Sequence, residues 1–125
     1  MKKTALLIVL LASSSLAQAE LQKVFENIRG TVVYADTNTL TVNGNARRVM
    51  EIQSYRTAGP RGMMSMKILK EYNCKEKTAQ MLSYTIYSDV MATGSVIGKV
   101  ESPGEIEQIT KNPGGTGGYR FACER

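Results

Sequence analysis

The chain has 125 residues, 16 Lys and Arg against 11 Asp and Glu, a formal charge of +5 and no histidine. The missing imidazole excludes Ser-His-Asp and Cys-His nucleophiles, the usual neutral-pH acid-base group and the commonest zinc ligand. The basic excess is small and comes with no nucleic-acid-binding motif, so it argues against a nucleic-acid partner and fits a domain that resists self-association.

Residues 1–19 read as a cleavable secretory signal: Lys2 and Lys3, the apolar residues 5–12, then Ala17-Gln18-Ala19 before Glu20. The apolar stretch is about half the length needed to cross a bilayer and no later segment approaches it, so no transmembrane anchor is expected. No cysteine lies near the cleavage point to carry a lipid. The mature chain expected from this is a single domain of residues 20–125, soluble, and periplasmic or secreted. Losing Lys2 and Lys3 leaves it with a charge of +3.

So small a domain buries only about two-thirds of the surface its unfolded chain exposes, which makes a covalent tie valuable. Cys74 and Cys123 are the two cysteines. An oxidising compartment favours a disulfide between them, for about 2–4 kcal/mol, ahead of free thiols, an intermolecular bridge or a redox role. No C-x-x-C motif supports the redox alternative.

Residues 31–35, T-V-V-Y-A, are β-branched and aromatic and lead into turn formers at Asp36-Thr37-Asn38. A short run at 39–42 reaches Asn43-Gly44, a pair suited to a tight hairpin. Residues 46–55 alternate. Arg48, Met50, Ile52 and Ser54 share one side and Arg47, Val49, Glu51 and Gln53 the other, and the methionine and isoleucine mark the first side as the core face. Residues 57–62, T-A-G-P-R-G, form a loop between long strands. The next strand, 63–72, sets Met64, Met66, Ile68 and Tyr72 against Ser65, Lys67 and Glu71. Residues 80–87 are apolar on both sides, as in a central strand whose second side is covered by a helix, a partner or a ligand. A shorter strand at 95–100 follows. Residues 105–110 suit a strand or a short helix, and the glycines at 114, 115, 117 and 118 read as a flexible turn.

Little of this suggests catalysis, which would need a convergent pocket around a tyrosine or carboxylate of strongly shifted pKa. Asp36 and Asp89 sit beside turn formers and read as caps. Glu105 and Glu107 read as a solvated acidic edge, since a hard-cation site needs several converging oxygens. The glycine run lacks the Gly-Lys-Ser/Thr of a phosphate loop. No cofactor and no metal site is expected. Lys67, Lys70, Lys75 and Lys77 read as edge-strand charge, and Met50, Met63, Met64, Met66, Met81 and Met91 as filling of the core and its margins. The candidate contact residues are Arg47, Arg56 and Arg61 with Tyr55 and Tyr87, because arginine offers forked hydrogen bonds and tyrosine a desolvated anchor. Arg48 lies beside them in sequence.

Ser65-Met66-Lys67, Glu71-Tyr72-Asn73-Cys74-Lys75, the run at 82–88, Met91, Gly94-Ser95 and Cys123 together form a pattern that resembles the bacterial surface-adhesin protein E family. Residues 33–36 and 50–56 are compatible with it. The resemblance implies a small antiparallel sheet with a short C-terminal helical element, a disulfide and homodimer formation. It also implies attachment to host extracellular-matrix and serum proteins. Two features of this chain depart from the pattern: no cysteine is available for a lipid anchor, and four glycines occupy the helical segment, each costing about 1 kcal/mol relative to alanine. The fold expected is α+β or mainly β. The function expected is a non-enzymatic binding module with a protein partner, extracellular-matrix or envelope. The alternatives are a structural or assembly role in the envelope through homo-oligomers, and a small-ligand carrier with an enclosed apolar cavity beneath residues 82–86.

Overall fold

The computed structural model describes residues 20–111 and 113–124, so the signal expected over residues 1–19 lies outside the described residues. Eight strands form one antiparallel sheet: β1 (Leu21–Glu26), β2 (Val32–Asp36), β3 (Thr41–Asn43), β4 (Ala46–Ser54), β5 (Ser65–Asn73), β6 (Thr78–Asp89), β7 (Thr93–Val100) and β8 (Glu107–Gln108). The order across the sheet is β1-β2-β4-β5-β6-β7. The short strand β3 extends the β2 side of β4, and β8 extends the β7 side of β6. Among the described residues one α-helix, α1 (Pro113–Cys123), lies against β1, β2, β4 and β5.

Most expected strands are present, with two local differences. β1 has no counterpart in the sequence reading; its L-Q-K-V-F-E pattern is broken by a bulge between Lys23 and Phe25. The β3–β4 turn is centred on Gly44-Asn45, one residue beyond the expected pair, because Asn43 still pairs with Ala46. Gly44 takes the positive φ of 60°. The segment 105–110 is both alternatives in succession, β8 and then a 3-10 turn at Ile109–Lys111.

The alternation of β4 is present, but its buried side is the opposite one. Val49 is 0% exposed and Glu51 2%, whereas Met50 and Ile52 are half-buried. The helix decides this, since it covers the Val49 side together with Ala35 and Tyr72. A carboxyl on the core face is tolerated because the Tyr72 hydroxyl donates to Glu51 Oε2 and the Lys70 ammonium stands 4.0 Å from Oε1. Burial pushes the Glu51 carboxyl above its ordinary range, against the opposing pull of Lys70 and of the Tyr72 hydrogen bond. Burial, then the Glu51 charge, pushes the Tyr72 phenol up, so it stays a donor.

The glycine run is helical instead of a flexible turn, and its composition has a steric reason. A Cβ at position 118 would overlap Tyr72 Oη and stand 2.6 Å from Glu51 Oε2, and one at 117 would overlap the Val24 carbonyl oxygen beside the β1 bulge. Only a helix stripped of side chains on this face can sit so close to the sheet. Tyr119, Phe121 and Ala122 then complete the core. The Tyr119 hydroxyl donates to the Cys74 carbonyl at 2.9 Å, and the Cys74–Cys123 disulfide fixes the end of the helix to the end of β5.

The methionines at 50, 63, 64, 66, 81 and 91 are all half-buried, as filling of the core margins. Lys67 and Lys70 lie on an internal strand and not on an edge, since β5 runs between β4 and β6. β6 meets the core cluster at Ala79, and its remaining half-buried residues lie beside β5, β7, β8 and the 90–92 turn.

Gly118→Ala improves intrinsic helix propensity yet is expected to destabilise the fold by about 1–3 kcal/mol through overpacking, measured by urea denaturation. Glu51 binds its proton more tightly in the folded chain than in the unfolded one. Its contribution is therefore fully present at acid pH and is lost as pH rises from 4.5 through the folded value. The denaturation midpoint of the native protein should fall across that window more steeply than that of Glu51→Gln, and equal slopes would remove Glu51 as the cause.

Candidate functional site

Antiparallel order sends three connections to one end of the sheet: residues 27–31 between β1 and β2, residues 55–64 between β4 and β5, and residues 90–92 between β6 and β7. The register aligns the strand ends beneath them, Val32 with Ser54, Ser54 with Ser65 and Ser65 with Tyr87. The disulfide, the helix C-terminus and the β3–β4 turn occupy the other end.

Each connection is held by its own polar contacts. In the first, Asn27 Oδ1 accepts from the Arg29 and Thr31 amides at 3.0 Å, lifting Ile28 and Arg29 into solvent; Ile28 is 100% exposed. Gly30 has φ +82°, and the Arg56 guanidinium lies on it: a Cβ there would stand 2.6 Å from Arg56 Nε. Arg56 thereby joins the first connection to the second. In the second, the Gly59 amide donates to the Met63 carbonyl at 2.8 Å, and Arg61 takes φ +60° at its tip.

The third connection holds Met91 and Ala92 both at φ +56°, a left-handed pair that costs about 1–3 kcal/mol per residue. Two buried serines oppose that cost. Ser65 Oγ donates to the Asp89 carbonyl at 2.5 Å and accepts from the Ala92 amide at 2.8 Å, while Ser54 Oγ accepts from the Met91 amide at 3.2 Å. Asp89 caps the turn by accepting from the Val90 amide at 2.7 Å, and Asp36 accepts from the Asn38 amide at 3.1 Å, so both aspartates are caps as expected.

Tyr55, Arg56, Arg61 and Tyr87 therefore gather at the loop end. Arg47 does not join them. It starts β4 at the opposite end, where its guanidinium donates to the carbonyls of Gly44 at 2.6 Å and Ala46 at 3.2 Å. Arg48 is there too, paired with Glu71 at 3.0 Å. Among the described residues no carboxylate forms an ion pair with Arg29, Arg56 or Arg61. Glu26 is held below its usual range by Lys23, 2.8 Å away, and more weakly by Arg56. Burial raises the Tyr55 phenol. The loop end is thus electropositive with apolar points at Ile28 and Val90. Ile28, Arg29 and the two serines escaped the sequence reading; the Asn27-Ile28-Arg29-Gly30 turn signature was the available signal for the first two.

Glu105 and Glu107 are exposed, and among the described residues no group of three or more metal-ligating side chains converges. The shifted pair Glu51 and Tyr72 is a packing element: Tyr72 is fully buried and its proton is already engaged. Among the described residues no helix is long and apolar enough to cross a membrane.

A family model described as surface-adhesin protein E matches residues 21–124. Among solved structures, the chain is similar to Haemophilus influenzae protein E in its crystal form II, with a TM-score of 0.64 and 13% identity over 86% of this chain and 89% of the other. No curated protein sequence matches. The match extends over nearly all of residues 20–125, and the chain belongs to the surface-adhesin protein E family, as a non-enzymatic binding module on that fold.

Proposed function

We propose that the module is exported, loses residues 1–19 and acts in the periplasm or outside the cell by binding a protein, in the manner of an adhesin, through the loop end of its sheet. The observation that carries this reading is the unpaired arginine set. Arg29, Arg56 and Arg61 extend from two hairpin connections beside the fully exposed Ile28, with Tyr55 and Tyr87 at the strand ends below. Arginine and tyrosine around an apolar point are the residue types that anchor protein interfaces, and a positive patch favours a partner with an acidic surface. Arg47 was an equal candidate in the sequence and is left out of this surface, because it is already engaged at the far end.

A second reading, a structural or assembly role through homodimers, has one observation in its favour. Among the described residues β7 is an edge strand eight residues long, with Val96 58% exposed, and two such edges can pair antiparallel.

Purified residues 20–125 should bind at least one of a panel of extracellular-matrix and serum proteins in surface plasmon resonance. Arg56→Glu/Arg61→Glu should slow association by about tenfold and reduce its salt dependence, with Arg47→Glu unchanged. No binding across the panel, or equal loss in the Arg47 variant, would reject the loop-end reading. Light scattering at increasing concentration tests the second: a dimer that Val96→Lys dissociates supports edge pairing, and a monomer throughout excludes it.

A further inference from the structure

A cleft of about 670 Å³ opens on the helix-covered face, between the β1–β2 connection and the start of α1. Phe25, Ile28 and Val33 give it an apolar wall, Glu51, Gln53 and Lys70 give it polar groups, and the Glu26 carboxylate at its rim is paired with Lys23 at 2.8 Å. The Lys70 side chain is only 14% exposed, yet its ammonium is 4.0 Å from Glu51 Oε1, too far for a hydrogen bond, and 5.5 Å from the centre of the Tyr72 ring. Neither that ammonium nor the Gln53 amide makes a side-chain hydrogen bond with a described residue. Both also line a second cleft, of about 170 Å³, that continues across β5 toward β6, so they stand between the two.

The ammonium is not sealed off, since no buried side-chain nitrogen among the described residues lacks a partner; it lines the cleft, with the ring contact and Glu51 on the protein side and room for a hydrogen-bond acceptor on the other. Glu51 Oε1, 4.0 Å away, offsets part of the ammonium's charge without accepting a hydrogen bond from it, and Tyr72 already engages the other oxygen. The group that completes this arrangement is an anionic acceptor small enough for the cleft, flanked by apolar surface. We propose that the cleft binds a carboxylate joined to a compact apolar body, with Lys70 and Gln53 on the carboxylate and Phe25 and Val33 against the apolar part. Its volume lies within the range of about 300–1,000 Å³ usual for small-ligand sites. The proposal uses none of the loop-end arginines; Ile28 at the rim is the one residue it shares with the protein-binding reading. Two sources present this chemistry, a free medium-chain fatty acid and the C-terminus of an apolar peptide.

The test is an amide-resolved NMR titration of residues 20–125 with octanoate, N-acetyl-leucyl-leucine and the uncharged octanamide. Both carboxylates should shift the amides of Phe25, Gln53 and Lys70 saturably, and octanamide should bind about tenfold more weakly or worse. Tighter binding of octanoate assigns the free acid, and tighter binding of the dipeptide assigns a chain terminus. Lys70→Met should lose about tenfold in affinity, and Lys70→Arg should keep it. If Lys70→Met fails to fold, the arginine variant and octanamide decide the question. Equal affinity for octanoate and octanamide, shifts confined to other residues, or no saturation by either carboxylate would overturn the assignment.

Discussion

Tyr72 and Glu51 hydrogen-bond to each other directly beneath Gly118, and the position of the helix follows from that contact. The pair lies on the core face of two central strands and is sealed from water by a helix that has no side chain where it crosses them. The arrangement is mutually dependent. Without the helix the carboxyl would be solvated and the face uncovered; without the hydrogen bond the helix would press on an unsatisfied carboxyl. A run of glycines is a poor helix former, so α1 holds its shape through tertiary contacts and through its tie to Cys74, and little through propensity.

The clamp at one end leaves the other end available. Disulfide, helix C-terminus and the Tyr119–Cys74 hydrogen bond all concentrate where β5 turns into β6. At the far end the three connections are held by short polar contacts and the two buried serines. They carry five positions at positive φ that regular strands would not adopt: Gly30, Arg61, Gly62, Met91 and Ala92. Loops set on a rigid scaffold present side chains without contributing to the core, which is the arrangement binding surfaces commonly use.

Strand periods, the disulfide and the turn-capping aspartates were legible in the sequence because each rests on local spacing or on compartment. What was not legible depended on which face a remote segment covers. Met50 and Ile52 are more apolar than Glu51, so side-chain polarity alone selects the wrong side of β4; the selection is made by a helix more than sixty residues away in the chain. The glycine run misleads for the same reason, since composition reports freedom in solution and not a close approach to Tyr72. In the candidate site, the strand ends and the 55–62 loop were readable as an arginine-tyrosine cluster. The separation of Arg47 was not, because nearness in sequence along a nine-residue strand is distance in space, roughly 3.3 Å per residue.

A TM-score of 0.64 at 13% identity is what such a division of labour predicts. The scaffold asks for a period-2 pattern, a covalent tie and a helix that can lie flat, and many side-chain sets meet those demands. Partner choice asks for particular groups at particular loop positions, and the fold does not constrain them. Within this chain the two demands fall on different residues. Glu51 Oε2, Tyr72 and Gly118 are consumed by the helix contact, whereas Arg29, Arg61 and Ile28 support nothing in the core. The loop-end residues can therefore change without disturbing the helix contact, and a change in that contact would not by itself alter what the loop end presents.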